Sequence, residues 1–247
     1  MFSVIIPARY QSARLPGKPL ALINGKPMVQ QVYEQAQKSD AQQVIVATDD
    51  ARVAQTVDSF GGQACMTSSD HISGTDRLQE VVNLYNFSKD DIVVNVQGDE
   101  PFIPPEVINQ VAHNLYAQPA AAAATLCEPM IKKADLFDPN IVKVVYSAGG
   151  SALYFSRAGI PCVRDGNDDP VQHAGLLHRH IGIYAYRVKT LDDFVSWPPA
   201  PLELAEKLEQ LRLLYNDRII HVDRAIQAVP GGIDTPDDLQ RVQGLFV

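Results

Sequence analysis

The sequence predicts an α/β protein whose sheet is parallel through the first half of the chain and covered by helices on both faces. Three observations lead there. Short apolar runs at Ser3–Ile6, Gln43–Thr48 and Ile92–Val96 lack the alternation of a half-exposed strand, so they suit strands buried on both sides. Segments with helical spacing follow these runs, and strand–helix alternation is the pattern of a parallel sheet. A chain of 247 residues, 46% hydrophobic and 20% charged, is also long enough to bury a full core, as one large domain or as a domain with a subdomain.

Taken in order, Ser3–Ile6 is the first strand and Pro7 ends it. Pro27–Lys38 carries Met28, Val29, Val32 and Ala36 on one helical face, with Pro at the first helical position. Gln43–Thr48 is a strand whose end, Asp49-Asp50, can cap a helix over Ala51–Phe60. Gly61-Gly62 stops that helix, and Gln63–Met66 is a short strand. Ser73–Tyr85 places Leu78, Val81, Val82 and Tyr85 at i, i+3, i+4 and i+7 and is a helix. Ile92–Val96 and Pro104–Leu115 add a strand and a helix.

The second half is more mixed. Ala122–Pro129, Val142–Tyr146, Ala152–Phe155, Ile181–Arg187 and Ile219–Gln227 are strand-like, and Asp165–Gln172 is a polar loop. Helices are expected over Val188–Trp197, over Leu202–Tyr215 with Leu204, Leu208, Leu211 and Tyr215 on one face, and over Thr235–Leu245, capped by Thr235 before Pro236. Regular alternation stops around Met130–Asn140. A division falls there, between a first half of about 1–130 and a second of about 131–247 within one domain.

Charge and cysteine usage narrow the function. With 29 Asp+Glu against 21 Lys+Arg and a net charge of −8, the chain has no basic face for nucleic acid. Cys65, Cys127 and Cys162 are widely spaced with no CxxC, as expected for reduced thiols in the cytoplasm, with Cys65 and Cys127 in apolar contexts that suit the core. No signal-peptide pattern and no apolar run of membrane-spanning length is present, so a soluble cytoplasmic protein is expected.

Against that acidic balance, Arg9, Arg14 and Lys18 crowd the loop after the first strand, closed by Pro16-Gly17. Folds of this class bind anions at the carboxyl ends of their strands, and Arg and Lys suit phosphate oxygens. The loop is no Walker A, because Ser12 stands where the first glycine belongs and Pro19 follows Gly17-Lys18; no G-x-G-x-x-G is present either. A side-chain and backbone polyphosphate site is the reading that remains.

Val94–Pro101, VNVQGDEP, ends a buried strand in Gly98 and the acidic pair Asp99-Glu100. Asp99 suits either Mg²⁺ beside phosphates or a helix cap. Asp234, in GGIDTPDD, is a second metal candidate whose other reading is a helix start. Gln97 could read a base or a sugar hydroxyl. Ser73-Gly74-Thr75, with Arg77, either donates backbone amides to an anion or caps a helix. Arg157 and Arg164 follow a strand end, while His180, Gly182 and Tyr184 share one strand face. His178 and His180 lack a ligand partner at metal spacing, which favours a hydrogen-bonding role. Glu209-Gln210 is an ordinary solvated pair unless its helix roofs a pocket.

Read together and in order, IPARYQSARLPGKPL, SGTDRL, NVQGDEP, YFSRAGIP, HIGIYAYR, PLELAEKLEQLR and GIDTPDDL resemble the 3-deoxy-manno-octulosonate (KDO) cytidylyltransferase family, essentially end to end. The resemblance implies a glycosyltransferase-A-like mixed sheet flanked by helices with a β-rich dimerisation part, and a homodimer. It implies transfer of CMP from CTP to the anomeric hydroxyl of KDO with release of diphosphate, with Mg²⁺, for lipopolysaccharide synthesis. Arg9, Ser12, Arg14 and Lys18 would bind the CTP phosphates, with Ser73 and Arg77 nearby and Gln97 facing the nucleotide. Asp99 and Asp234 would hold the metal and, with Lys18, act in catalysis. Arg157, Arg164, His180, Tyr184, Glu209 and Gln210 would hold the sugar acid. Ser68 and Cys162 depart from the family pattern, which often has Arg and an aromatic there. Transfer to another acidic sugar, such as an 8-amino analogue or a sialic acid, and a silent nucleotide-binding protein are the alternatives on the same fold.

Overall fold

The computed structural model describes residues 1–12, 14–71, 73–164, 169, 172–173 and 175–243. Its strands are β1 (Phe2–Pro7), β2 (Leu22–Ile23), β3 (Lys26–Pro27), β4 (Val44–Thr48), β5 (Ala64–Met66), β6 (Ile92–Asn95), β7 (Ala123–Pro129), β8 (Lys143–Tyr146), β9 (Ala152–Ser156), β10 (His178–Arg187) and β11 (Ile220–Arg224). The α-helices are α1 (Met28–Ala36), α2 (Ala51–Ser59), α3 (Gly74–Leu84), α4 (Pro105–Ala117), α5 (Lys133–Phe137), α6 (Val188–Ser196), α7 (Pro201–Glu206), α8 (Leu211–Tyr215) and α9 (Pro236–Gln243).

The main sheet runs β11-β7-β10-β6-β1-β4-β5, with β8 on β10 and β9 on β8. β6, β1, β4 and β5 are parallel, with Val4 opposite both Val44 and Val94. Successive residues of β1 feed two cores. Val4 and Ile6 pack with α1, α2 and α4, while Ile5 packs with α3 and α6 on the other face. That two-sided burial is why these strands read as unbroken apolar runs.

β10 makes the sheet mixed. It lies antiparallel between β6 and β7, with Tyr184 opposite Asn95 on one side and Thr125 on the other. A register shift against β7 between Ile181 and Tyr184 marks an irregularity beside Gly182. The strand starts at His178 rather than Ile181, three residues earlier than its apolar pattern announces.

The single helix expected over Leu202–Tyr215 is instead two. Lys207 adopts a left-handed conformation, φ 54°, which ends α7 before α8 begins at Leu211. The break leaves Leu204 and Tyr215 exposed while Leu208 and Leu211 are buried, so the four do not form one buried face. Thr235 caps α9 as expected, its hydroxyl accepting from Asp238 N at 3.2 Å. Most of the Asp165–Gln172 loop lies outside the described residues, as does Leu245. Cys65 and Cys127 are buried. No helix among the described residues is long and apolar enough to cross a membrane.

Candidate active site

The carboxyl ends of β1 and β6 come together above the sheet, and the contact depends on a missing side chain. A Cβ on Gly98 would sit 2.7 Å from the Pro7 carbonyl oxygen, so only glycine lets the two loops approach this closely. Between them lies a cavity of about 260 Å³ lined by Arg9, Gln11, Ser12, Lys18, Gly74, Gln97 and Asp99, among others. Segments far apart in sequence therefore meet where parallel sheets generally bind ligands. Gly74 opens α3 behind Ser73, which caps it in a reciprocal box with Asp76.

At one edge of this cavity Lys18 joins the two acids singled out in the sequence. Its Nζ donates to Asp99 Oδ2 at 2.5 Å and to Asp234 Oδ1 at 2.8 Å, and Arg14 pairs with Asp234 at 3.1 Å. Burial works against the Lys18 charge, but the Asp99 carboxylate and the two hydrogen bonds outweigh it and raise its pKa. Two carboxylates thus converge on one small cation beside a cationic cavity. Hard oxygen donors in that arrangement fit Mg²⁺, which takes one or two carboxylates and fills its other positions with phosphate oxygens and water. Beside them Glu100 is half-buried, its Oε2 is shielded and has no partner, and burial followed by the charge of Asp99 pushes its carboxyl up to about 8.

Arg9 and Arg77 look alike in sequence and differ in place. Arg9 lines the cavity with its Nη2 unpartnered, and burial, then the like charge of Arg77, lowers its pKa. Arg77 is fully buried beneath. It donates from Nη2 to Asp49 at the end of β4, at 2.9 Å, and from Nη1 to the Thr67 hydroxyl.

The residues expected around a sugar acid divide in the same way. Gln97 donates to the Gly182 carbonyl at 3.3 Å, tying the cavity to β10. The rings of His180 and Tyr184 lie 5.3 Å apart, and the Tyr184 hydroxyl is buried without a partner. Glu209 and Gln210 sit at the turn into α8, not on a continuous helix. Burial raises the Glu209 pKa, and its Oε2 is also unpartnered. Arg157 lines a second cavity of about 490 Å³ together with Arg14, Lys207 and Asp234. Its guanidinium donates to the carbonyls of Pro139, Glu206 and Lys207. Arg164 is exposed, beside residues outside the description. Sequence reasoning passed over Gln11, for which no spacing gave a signal, and took Thr75 only as part of the helix start, with no role for its buried hydroxyl.

His180 carries a pH prediction. Burial, then the charge of Arg179, lowers its pKa to about 3, and its Nε2 lies 3.0 Å from the Thr125 hydroxyl. The unfolded chain takes up a proton near pH 6.5 that the folded chain refuses until about 3. This histidine therefore costs stability progressively as pH falls from 6.5 toward 3. Urea denaturation of His180→Asn across that window should give a shallower decline than wild type. Parallel curves would assign the acid sensitivity elsewhere.

A mixed α/β sheet whose strand ends gather cations and two carboxylates around one cavity fits an anionic, phosphate-bearing ligand. A family model described as Cytidylyltransferase matches residues 3–220. A 3-deoxy-manno-octulosonate cytidylyltransferase from Saccharophagus degradans is 58% identical, over 98% of this chain and 97% of that protein. One from Cellvibrio japonicus is also 58% identical, over 99% and 98%. The solved structure of CMP:2-keto-3-deoxy-manno-octonic acid synthetase complexed with CTP superposes with a TM-score of 0.90 at 44% identity, covering 99% of this chain and 97% of that one. A cytidylyltransferase from Leptospira borgpetersenii shares the fold at a TM-score of 0.64 and 17% identity. The chain belongs to the 3-deoxy-manno-octulosonate cytidylyltransferase family.

Proposed function

We propose that the protein transfers CMP from CTP to KDO, releasing diphosphate and forming CMP-KDO for lipopolysaccharide synthesis. The observation that carries the reading is the cavity in which Arg9, Ser12, Lys18, Gln97 and Asp99 meet, with Asp234 reached through Lys18. It accounts for a polyphosphate, a metal and a nucleoside at one place. The direct test is diphosphate release that requires both CTP and KDO; release with a sialic acid but not KDO would reassign the acceptor.

In the reaction the anomeric oxygen of KDO bonds to the α-phosphorus, the bond from that phosphorus to the α,β-bridging oxygen breaks with its electron pair leaving on diphosphate, and the hydroxyl proton passes to solvent water. Arg9 and Lys18 neutralise charge that grows on the phosphate and leaving oxygens, and Ser12 with the Gly74 amide would hold the phosphates in line. Asp99 and Asp234 would hold Mg²⁺, which when bound polarises phosphate oxygens and lowers the pKa of a coordinated hydroxyl. His180 and Tyr184 on β10, the Glu209-Gln210 turn and Arg157 form the sugar side, and the resemblance adds Arg164. Arg77 supports this cleft from beneath through Asp49.

Lys18→Ala should lower kcat/KM for CTP by about 10²-fold while the chain stays folded, because the mutation removes a charge aimed at the site and no core packing. Steady-state kinetics and a melting curve check this; wild-type values of both would remove Lys18 from the reaction. We also propose a cytoplasmic homodimer. β9 pairs only with β8 among the described strands and exposes Leu153, which leaves a sheet edge open to a second copy. Light scattering should give a dimer mass for the wild type and a monomer for Leu153→Arg; two equal masses would move the interface elsewhere.

A further inference from the structure

We infer that Glu128 and Arg179 are positioning residues for Asp234, acting from outside the cavity through the segment that carries it. This inference rests on the reading of Asp234 as a metal ligand. Arg179 and Glu128 face each other across β10 and β7. Arg179 donates to Glu128 Oε2 from Nε at 2.8 Å and from Nη2 at 2.5 Å.

Both side chains have a second partner, and it is the same residue. Glu128 Oε1 accepts from the Val229 backbone N–H at 2.7 Å, and Arg179 Nη2 donates to the Val229 carbonyl at 2.7 Å. Together they satisfy both backbone groups of one loop residue, as a neighbouring strand would. Val229 needs this, because it lies beyond the end of β11 and is itself buried in the core.

From Val229 the chain runs through Pro230, Gly231 and Gly232 to Asp234. Two successive glycines leave that stretch with much backbone freedom, so its direction is set by what holds its ends. At the near end is the Glu128–Arg179 grip. At the far end Ile233 N donates to the Asp99 carbonyl at 2.9 Å, and a Cβ on Gly232 would come within 3.3 Å of that same oxygen. The backbone bearing the second acid is thereby laid against the backbone bearing the first. Releasing the near end lets the Asp234 carboxylate drift from the point it shares with Asp99. Partners that orient metal ligands in this way commonly matter tenfold or more for metal affinity.

The test is Mn²⁺ binding to the nucleotide-free chain, read by the loss of free-ion EPR signal, for wild type, Glu128→Gln, Arg179→Lys and Asp234→Asn. Gln cannot accept from both Arg179 and Val229, and Lys cannot reach Glu128 and Val229 with a planar fork. Both grip variants should weaken Mn²⁺ binding on the order of tenfold. They should also raise the Mg²⁺ concentration that half-saturates diphosphate release, with the KM for CTP changed less than the Mg²⁺ requirement. If Asp234→Asn loses Mn²⁺ while both folded grip variants bind it as wild type does, the positioning role is overturned and the ligand reading stands. Wild-type Mn²⁺ binding by Asp234→Asn overturns both. Should Glu128→Gln fail to fold, Arg179→Lys alone decides.

Discussion

Asp99→Asn should cut diphosphate release by about 10²–10³-fold at saturating CTP, KDO and Mg²⁺. The substitution keeps the size of the side chain and removes its charge. What it removes is specific: Asp99 sits at the end of β6, less exposed than Asp234, and lines the cavity where Asp234 does not. The backbone beside it is packed too tightly to admit a side chain, since a Cβ on Gly98 would meet the Pro7 carbonyl oxygen. Asp234→Asn should be the milder lesion, since Asp234 is more exposed and shares its charge with Arg14 as well as Lys18. Turnover by Asp99→Asn near that of wild type at saturating Mg²⁺ would refute the role given to this acid.

The second large effect is on stability. Arg77→Ala should destabilise the fold by about 3–5 kcal/mol, because it leaves Asp49 and Thr67 facing a void that their partner filled. In a chain of this length that lowers the melting temperature on the order of 10 °C. Ordinary surface arginines cost far less, and a pure phosphate contact would leave the melting curve alone while raising the KM for CTP. A wild-type melt with a raised KM would therefore return Arg77 to direct nucleotide contact. Denaturant titration beside steady-state kinetics separates the two.

The two arginines also mark how far the sequence alone reaches. Periodicity reveals which face of α3 is apolar but not which charged residue on a helix points inward, so Arg77, placed near the phosphates by the resemblance, is seen to lie in the interior only once the structure shows its burial. The parallel strands were legible because double-sided burial writes itself as unbroken apolar runs, as in β4, VIVAT. The two acids were legible only as alternatives, since each read equally as a helix cap or helix start; what the structure adds is that both carboxylates meet one Lys18 ammonium.

The break at Lys207 was not legible: leucine spacing continues through it, and lysine is no signal for a left-handed residue. The start of β10 was legible in part: the apolar run begins only at Ile181, but alternation already put His180 on a strand with Gly182 and Tyr184, and pairing with β7 carries the strand back to His178. Glu128 left no trace, because neither Arg179 on the neighbouring strand nor the Val229 backbone is linked to it by any spacing in the sequence.

β10 has a mechanical consequence. It is laced to β6 through Tyr184–Arg187 and to β7 over nearly its whole length, and its first residues reach β8. The cavity residue Gln97 and the β10 residues His180 and Tyr184 thus rest on one continuous sheet. A hinge between them would have to tear ladder hydrogen bonds on both edges of that strand, which no substrate of this size could offset. The Glu209-Gln210 turn, set off from α7 by the left-handed Lys207, stands outside that ladder.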